Sequence, residues 1–211
     1  TQTTNEKEKL IEQVRMSLEK ELQRELTTST VRITVSGEEN KNKCVKLNYS
    51  KLGENLSEEH LVKFVSGKTI KSKIGGESIF IENVSEPLRI FFAEGLMNEQ
   101  LYSSTESCKE ADGNGNNIDY TFTTSKKDYY FEEDLKKFLE EIKIEENYSK
   151  IKEEFLLPKD AEFNLIITLN GEKEGKEKNV SGTNVFVNPY PISYINSSAD
   201  VNSGFFYISV W

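Results

Sequence analysis

The stretch that decides the fold is the run EKEKLIEQVRMSLEKELQREL, from Glu6 to Leu26, which leads into VRITV, from Val31 to Val35. Apolar residues recur in the first run at spacings of three and four, the period of one face of an α-helix. They are Ile11, Val14, Leu18, Leu22 and Leu26. The second run alternates apolar and polar residues, as a half-buried strand does. The sequence therefore predicts a helix over Glu6–Leu26 whose apolar side packs on the following sheet.

The rest of the chain mixes strand-like and helical patterns without a regular alternation of strand and helix. A strand at Cys44–Tyr49 is predicted to form a hairpin with Val31–Val35, and a short helix is predicted at Ser57–Ser66. Buried or alternating strands are predicted at Leu88–Phe92, Phe163–Leu169 and Phe205–Trp211. This order predicts an α+β fold with a long N-terminal helix packed on a mainly antiparallel sheet.

A second helical region is expected near residues 130–156, with a break near Asn147, and Asn170–Gly171 is a strong hairpin-turn signal. Residues 1–211 are expected to form a single α+β domain, with a loose division at the polar loop 103–117.

The charge of the chain excludes one class of partner. The net charge is −9, and no Lys/Arg face stands clear of neighbouring Glu. Binding to nucleic acid needs such a basic face, so nucleic acid is not an expected partner. No run approaches the roughly 18 apolar residues that a membrane-spanning helix needs.

The start of the chain and its cysteines each leave two alternatives. The sequence begins at Thr1 with a polar lead, which reflects either a simple boundary or the removal of a signal peptide or membrane anchor. Cys44 and Cys108 are too far apart for a CxxC metal site. They are either buried free thiols or one disulfide, and the compartment decides between these.

One loop resembles a metal site. Oxygen-bearing side chains recur through the segment 110–119, and Gly115 permits a tight turn, as in the first half of a calcium loop. The candidate ligands are Glu110, Asp112, Asn114, Asn116 and Asp119. The apolar residue falls one place late, and Thr121 stands where the bidentate Glu belongs. An Asn/Gly-rich turn without metal explains the same residues.

No catalytic motif is present, and no catalytic residue is predicted. The lone histidine, His60, falls on the predicted helix at Ser57–Ser66 among charged residues and is expected at the surface. Acidic residues such as Glu132, Glu133 and Asp134 suit the start of a helix. The protein is therefore expected not to be an enzyme, and an acid-pair hydrolase is the second alternative.

Six Asn-x-Ser sites favour a secreted, glycosylated surface, although chance alone would give about three. The acceptors are Asn48, Asn55, Asn83, Asn147, Asn179 and Asn196.

Together, the N-terminal helix that passes into a strand, the Asn-x-Ser sites and a strand-rich end resemble archaeal surface proteins of the type IV pilin-like class. The strand-rich end comprises Leu157–Thr168, Val185–Ile192 and Phe205–Trp211. In that class the helix continues backward into an apolar segment that anchors the subunit in the membrane or packs in a filament core.

The resemblance implies a non-enzymatic extracellular structural or adhesive domain, anchored through a segment ahead of Thr1. Its expected partners are other surface or filament subunits, including its own kind. The alternative is an extracellular binding module for calcium, a glycan or a protein that uses the Asp/Asn/Gly loop. No cofactor is expected apart from calcium in that alternative.

Overall fold

The computed structural model describes residues 4–36, 44–96, 108–111, 118–175 and 185–211, and every structural statement below refers to these ranges. The fold is α+β, as the sequence predicts. In chain order its elements are α1 (Thr4–Leu22), β1 (Gln23–Val35), β2 (Val45–Asn48), β3 (His60–Phe64), β4 (Thr69–Ile70), β5 (Ser72–Gly75), β6 (Ser78–Ile81), β7 (Leu88–Phe92), β8 (Lys109–Glu110), β9 (Ile118–Phe131), α2 (Glu132–Glu141), α3 (Glu145–Glu154), β10 (Phe163–Leu169), β11 (Glu172–Glu174), β12 (Phe186–Ile195) and β13 (Val201–Val210).

The chain divides into two compact units. Unit one comprises residues 1–24, 129–196 and 200–211, and unit two comprises residues 25–128 and 197–199. The expectation of one domain with a division at loop 103–117 stays a prediction. Most of that loop, residues 103–107 and 112–117, lies outside the described ranges.

Unit one is built on strands in the order β11-β10-β13-β12. These strands pair antiparallel, and β12 then pairs in parallel with the end of β9, through Tyr194 opposite Tyr130 and Ile195 opposite Phe131. Side chains alternate between the two faces of a strand. On β13, Gly204, Phe206, Ile208 and Val210 are buried, whereas the intervening residues face solvent or are half-buried.

The apolar ridge of α1 contributes to the core of unit one. Its five buried residues belong to the same cluster as Phe163, Tyr194 and Phe206 of the sheet. They are Leu10, Ile11, Val14, Leu18 and Leu22, which have the spacing that the sequence predicts. At about 1.5–3 kcal/mol for each buried side chain, the ridge provides on the order of 10 kcal/mol of gross stabilisation.

The predicted end of this helix is wrong by four residues. The helix ends at Leu22, and β1 begins at Gln23 rather than at Val31. In the extended backbone, Arg24 donates from Nε to Asp134 Oδ2 at 2.6 Å, and its guanidinium lies 4.1 Å from the centre of the Phe131 ring. Tertiary contacts of this kind override the helix propensity of the Gln-Arg-Glu-Leu segment.

Unit two contains strands in the order β1-β7-β3-β4 and a separate four-stranded sheet in the order β5-β6-β2-β8. Its core is formed by buried residues from both sets of strands, among them Val31, Leu47, Ile79 and Ile90. Leu88–Phe92, predicted as a buried strand, is β7, which lies between β1 and β3.

Two predictions for unit two are wrong. The strand at Cys44–Tyr49 does not form a hairpin with β1, because β2 pairs with β6 and β8 instead. The segment predicted as a helix at Ser57–Ser66 contains β3, in which all five residues are buried. A short apolar run fits a buried strand as well as one helical face, and here the pairing with β7 decides.

Two predictions at the C-terminal half are confirmed in substance. The second helical region is present as α2 and α3, although the break lies at Ile142–Ile144 rather than near Asn147. Asn170 and Gly171 both have positive φ angles, 52° and 82°, as a tight hairpin turn between β10 and β11 requires. The Tyr194 hydroxyl accepts from Asn170 N–H at 2.8 Å and donates to its Oδ1 at 2.9 Å.

Gly204 lies where two strands approach closely. A Cβ at this position would lie 2.2 Å from the carbonyl oxygen of Thr168 and 3.3 Å from the ring of Tyr194. Because the nearest atom belongs to backbone, the neighbour cannot move aside without shifting β10.

We expect Gly204→Ala to destabilise the protein by about 3 kcal/mol, since overpacking must displace backbone. The measurement is urea unfolding followed by circular dichroism. Ser203→Ala, one residue earlier and exposed, is the matched control and should leave the midpoint unchanged. Equal midpoints for the two variants would contradict the close approach.

Candidate functional site

Only two of the five predicted calcium ligands lie in the described ranges. Glu110 has its Oε2 3.7 Å from Lys46 Nζ, and Asp119 Oδ1 accepts from the backbone N–H of Tyr120 at 2.8 Å. Asp112, Asn114 and Asn116 lie outside the described ranges. Among described residues, no group of three or more His, Cys, Asp or Glu side chains is placed to hold a metal ion. The calcium site stays a prediction.

The two cysteines form a disulfide, which settles the alternatives left by the sequence. Cys44 and Cys108 immediately precede Val45 and Lys109, which are opposite each other in the parallel pairing of β2 with β8. The bond therefore holds the two-residue strand β8 at the edge of the four-stranded sheet. Disulfides persist in oxidising compartments and are rare in the cytosol of most organisms.

The expectation that His60 lies at the surface is wrong. His60 is 5% exposed on β3, and its two ring nitrogens have fixed partners. Nδ1–H donates to the carbonyl of Glu58 at 3.0 Å, which can only accept, so Nε2 accepts from the Ser72 hydroxyl at 2.9 Å. Burial lowers the pKa of His60 below 6.5, although the bond to the Glu58 carbonyl opposes this shift.

This serine–histidine–carbonyl chain has the connectivity of a nucleophile, its base and an orienting acceptor. Ser72, however, is completely buried, and the ring of Phe92 lies 6.5 Å from the imidazole. A substrate cannot reach the hydroxyl in this arrangement. The three groups act as a buried polar network that joins β3 to β5.

Two of the three acidic residues at the start of α2 are matched with bases. Asp134 binds Arg24, and Glu132 accepts from Lys136 Nζ at 2.8 Å, while both lie in the first turn of α2 as predicted. A hydrogen bond from Arg15 lowers the pKa of Glu12, and one from Lys126 lowers the pKa of Glu25. A general acid needs the opposite shift, so neither Glu12 nor Glu25 favours the hydrolase alternative.

The sequons occupy different environments. Asn55 and Asn83 are exposed and have positive φ angles of 55° and 49°. Asn147 is half-buried within α3, and Asn179 lies outside the described ranges. Asn48 accepts from Ser50 N–H, and Asn196 accepts from Asp200 N–H. Glycosylation at these six residues stays a prediction.

A shallow groove of about 820 Å³ lies in unit one beside α1 and the end of α3. Met16 is 59% exposed and Leu156 is 79% exposed, with φ of 54° at Leu156. Gln13 donates to the carbonyls of Phe155 and Leu156 at 2.7 and 2.9 Å and so holds this turn. Charges of both signs line the remaining groove, including Lys20 and Glu21.

The solvent face of β10, β12 and β13 carries no charged side chain of its own, and Lys173 of the neighbouring strand β11, opposite Thr168, is the first charge beside it. Strand register places its residues in rows across the three strands. The rows are Val187–Ser209–Asn164, Pro189–Tyr207–Ile166, Pro191–Phe205–Thr168 and Ser193–Ser203, with Val201 at the end of β13. We call these twelve residues the neutral face. At 30% charged residues, twelve positions would carry about four charges on average.

The centre of the neutral face is apolar and exposed. The rings of Phe205 and Tyr207 lie side by side with centroids 6.3 Å apart, between the prolines of β12 and the side chains of β10. Phe205 is 43% exposed, Val187 is 51% exposed and Val201 is 58% exposed. At one edge, Lys173 Nζ lies 5.3 Å from the centre of the Tyr207 ring and marks the beginning of the charged surface.

Sequence reasoning assigned a strand to this region but missed its face. The signal is present in the sequence, since Asp200 is the only charged residue between Val185 and Trp211. In a strand with one solvated face, apolar residues that face the core normally alternate with polar or charged residues that face solvent. A long strand pair without charges therefore indicates that its outer face is not selected for solvation alone.

No family model, curated protein or solved structure matches this chain. Among the described helices, none is long and apolar enough to cross a bilayer. A function therefore has to be inferred from the surfaces and contacts of the described residues.

We expect removal of the disulfide by Cys44→Ala with Cys108→Ala to reduce the free energy of unfolding by about 4 kcal/mol, because it closes a separation of 64 residues. Urea unfolding with and without reductant measures this. Reductant should lower the wild-type midpoint to that of the double variant and leave the variant unchanged. A reductant-insensitive wild type would contradict the structural role.

Because His60 is buried, we expect the free energy of unfolding to depend on pH. Its folded-state pKa lies below the unfolded value of about 6.5. The contribution to stability is therefore fully present above about pH 6.5 and is lost as the pH falls through the folded-state pKa.

His60 is the only histidine, so its imidazole NMR signal is unambiguous, and its titration midpoint is expected below 6.5. The control is His60→Gln, in which the fall in unfolding free energy from about pH 7 to pH 5.5 should shrink. A midpoint at or above 6.5, or an unchanged fall in the variant, would contradict the prediction.

Proposed function

We propose that the protein is a non-enzymatic extracellular structural or adhesive domain that acts through its neutral face. The carrying observation is an exposed, half-apolar sheet face without charge on a chain in which 30% of residues are charged. Solvation alone does not explain this composition, whereas contact with another macromolecule does, since binding surfaces are depleted in charge at their centres.

The disulfide supports the location in this proposal. Cys44 is 7% exposed and bonded to Cys108, as in proteins that fold in an oxidising compartment. The network of His60 and Ser72 adds a buried polar contact that specifies packing rather than chemistry. Both features suit a scaffold.

The pilin-like class remains part of the proposal. Its layout places an N-terminal helix against a sheet, and α1 buries its ridge in the core that β12 and β13 share. Under this proposal the partners are other surface or filament subunits, and attachment to the membrane is through a segment ahead of Thr1. The neutral face then lies on the side of β12 and β13 opposite to α1.

The proposal is tested by adhesion. Beads coated with the full chain are mixed with cells of the organism that makes it, and bound beads are counted. We expect Phe205→Glu to reduce binding about tenfold, because it places a charge at the centre of an apolar contact. The matched control is Met16→Glu, which changes an exposed apolar residue on α1 and should bind as wild type does.

Equal binding by the two variants, or no binding by the wild type, would contradict the proposed function. A chain found in the cytoplasm, with Cys44 and Cys108 open to alkylation before reduction, would contradict it independently.

A further inference from the structure

The face of unit one that carries no charge has to be matched by an occupant of similar chemistry. A basic partner would be drawn to the acidic surface elsewhere, since the chain carries a net charge of −9. A strongly acidic partner would meet one cation, Lys173 at the edge of the face, and would be repelled by the net charge of −9. The partner surface is therefore itself neutral and half-apolar over the contact.

The free edge of β12 is poorly suited to pairing with a strand of the partner. β12 pairs with β13 along its length and with β9 only from Tyr194, so Phe186–Ser193 has one partner strand in the described part of the chain. Pro189 and Pro191 lie in this stretch and have no N–H to donate. Prolines in strands lie with that side away from the partner, where they block the addition of another strand. Association is thereby directed to the face.

On these grounds we propose that the neutral face binds a second copy of itself, packing sheet against sheet about a two-fold axis. This inference rests on the proposed function and names the partner. In a two-fold contact the same surface serves both copies, so a neutral face meets a neutral face automatically. Two chains that each carry −9 also repel least where neither presents charge.

The shape of the face fits this arrangement. In the cross-strand register the large rings of Phe205 and Tyr207 lie beside the smaller side chains of Pro191 and Pro189. In the proposed dimer, the rings of each copy pack over the prolines of the other. Sheets packed in this way lie about 10 Å apart with their strands about 30° from parallel.

The size of the face determines the strength of the contact. Each outward residue of a sheet covers about 30 Å², given the rise along a strand and the spacing between strands, so twelve residues cover about 400 Å². A standard interface buries about 800 Å² on each partner. The self-association is therefore weak, and it becomes effective where many copies are held side by side.

Sedimentation velocity of the purified full chain from about 10 μM to 1 mM tests the inference. We expect the wild type to form dimers within this range and Phe205→Glu to weaken the association at least tenfold, since each dimer then buries two like charges. Met16→Glu makes the same chemical change at an exposed residue of α1 and should dimerise as the wild type does.

Salt provides a second readout. Because the contact is neutral and the two copies repel, raising NaCl from about 0.05 to 0.5 M should strengthen dimerisation. An interface held by ion pairs would weaken instead, and that result would overturn the inference. Circular dichroism checks the fold of each variant, and Ser203→Glu on the same face replaces Phe205→Glu if the latter does not fold.

Besides a dimer weakened by salt, three outcomes overturn the self-association. They are a wild type that stays monomeric at 1 mM, dimers unaffected by Phe205→Glu, and dimers lost in Met16→Glu alone, which would place the contact in the groove beside α1. A monomeric wild type whose beads still bind cells in a Phe205-dependent way rejects a second copy as the partner but keeps the proposed function. Dimers without cell binding reject the proposed function and keep the self-association.

Discussion

The burial of the α1 ridge against the sheet is the interaction on which unit one depends. Val14 and Leu18 are completely buried, in the same cluster as Phe206 and Ile208 of β13. Since side chains on a strand alternate between faces, packing one face under α1 assigns every other residue to solvent. The register that forms the core therefore also turns the residues of the neutral face toward solvent. A shift by one residue would exchange the buried residues with the solvent-facing ones.

The polar features of unit two contribute to how its strands are held together. The side chains of His60 and Ser72 are buried and hydrogen-bonded to each other, and either would be costly there without its partner. The disulfide adds a covalent constraint across a long separation, next to a strand of only two residues. Short edge elements gain most from such a constraint, because their own ladder provides few hydrogen bonds.

Sequence reasoning was most successful where the signal is local. The period of α1, the alternation of β10 and the Asn170–Gly171 turn each lie within a few residues, and the structure contains all three. It failed where the deciding partner is distant in sequence. Arg24 is extended because of contacts with Phe131 and Asp134, and β2 pairs with β6 and β8 rather than with its predicted neighbour.

The neutral face also depends on partners that are distant in sequence. The scarcity of charge in residues 185–211, where Asp200 is the one charged residue, is visible in the sequence, but its meaning depends on which residues share a face. Pro189, Tyr207 and Ile166 become one row only through the pairing of three strands, and Ile166 lies 23 residues before Pro189. Without this register, two uncharged strands that alternate between core and solvent would be an ordinary strand pair. With the register, its outer half is a continuous surface whose energetics favour contact over exposure, and that surface is the strongest indication of how this protein acts.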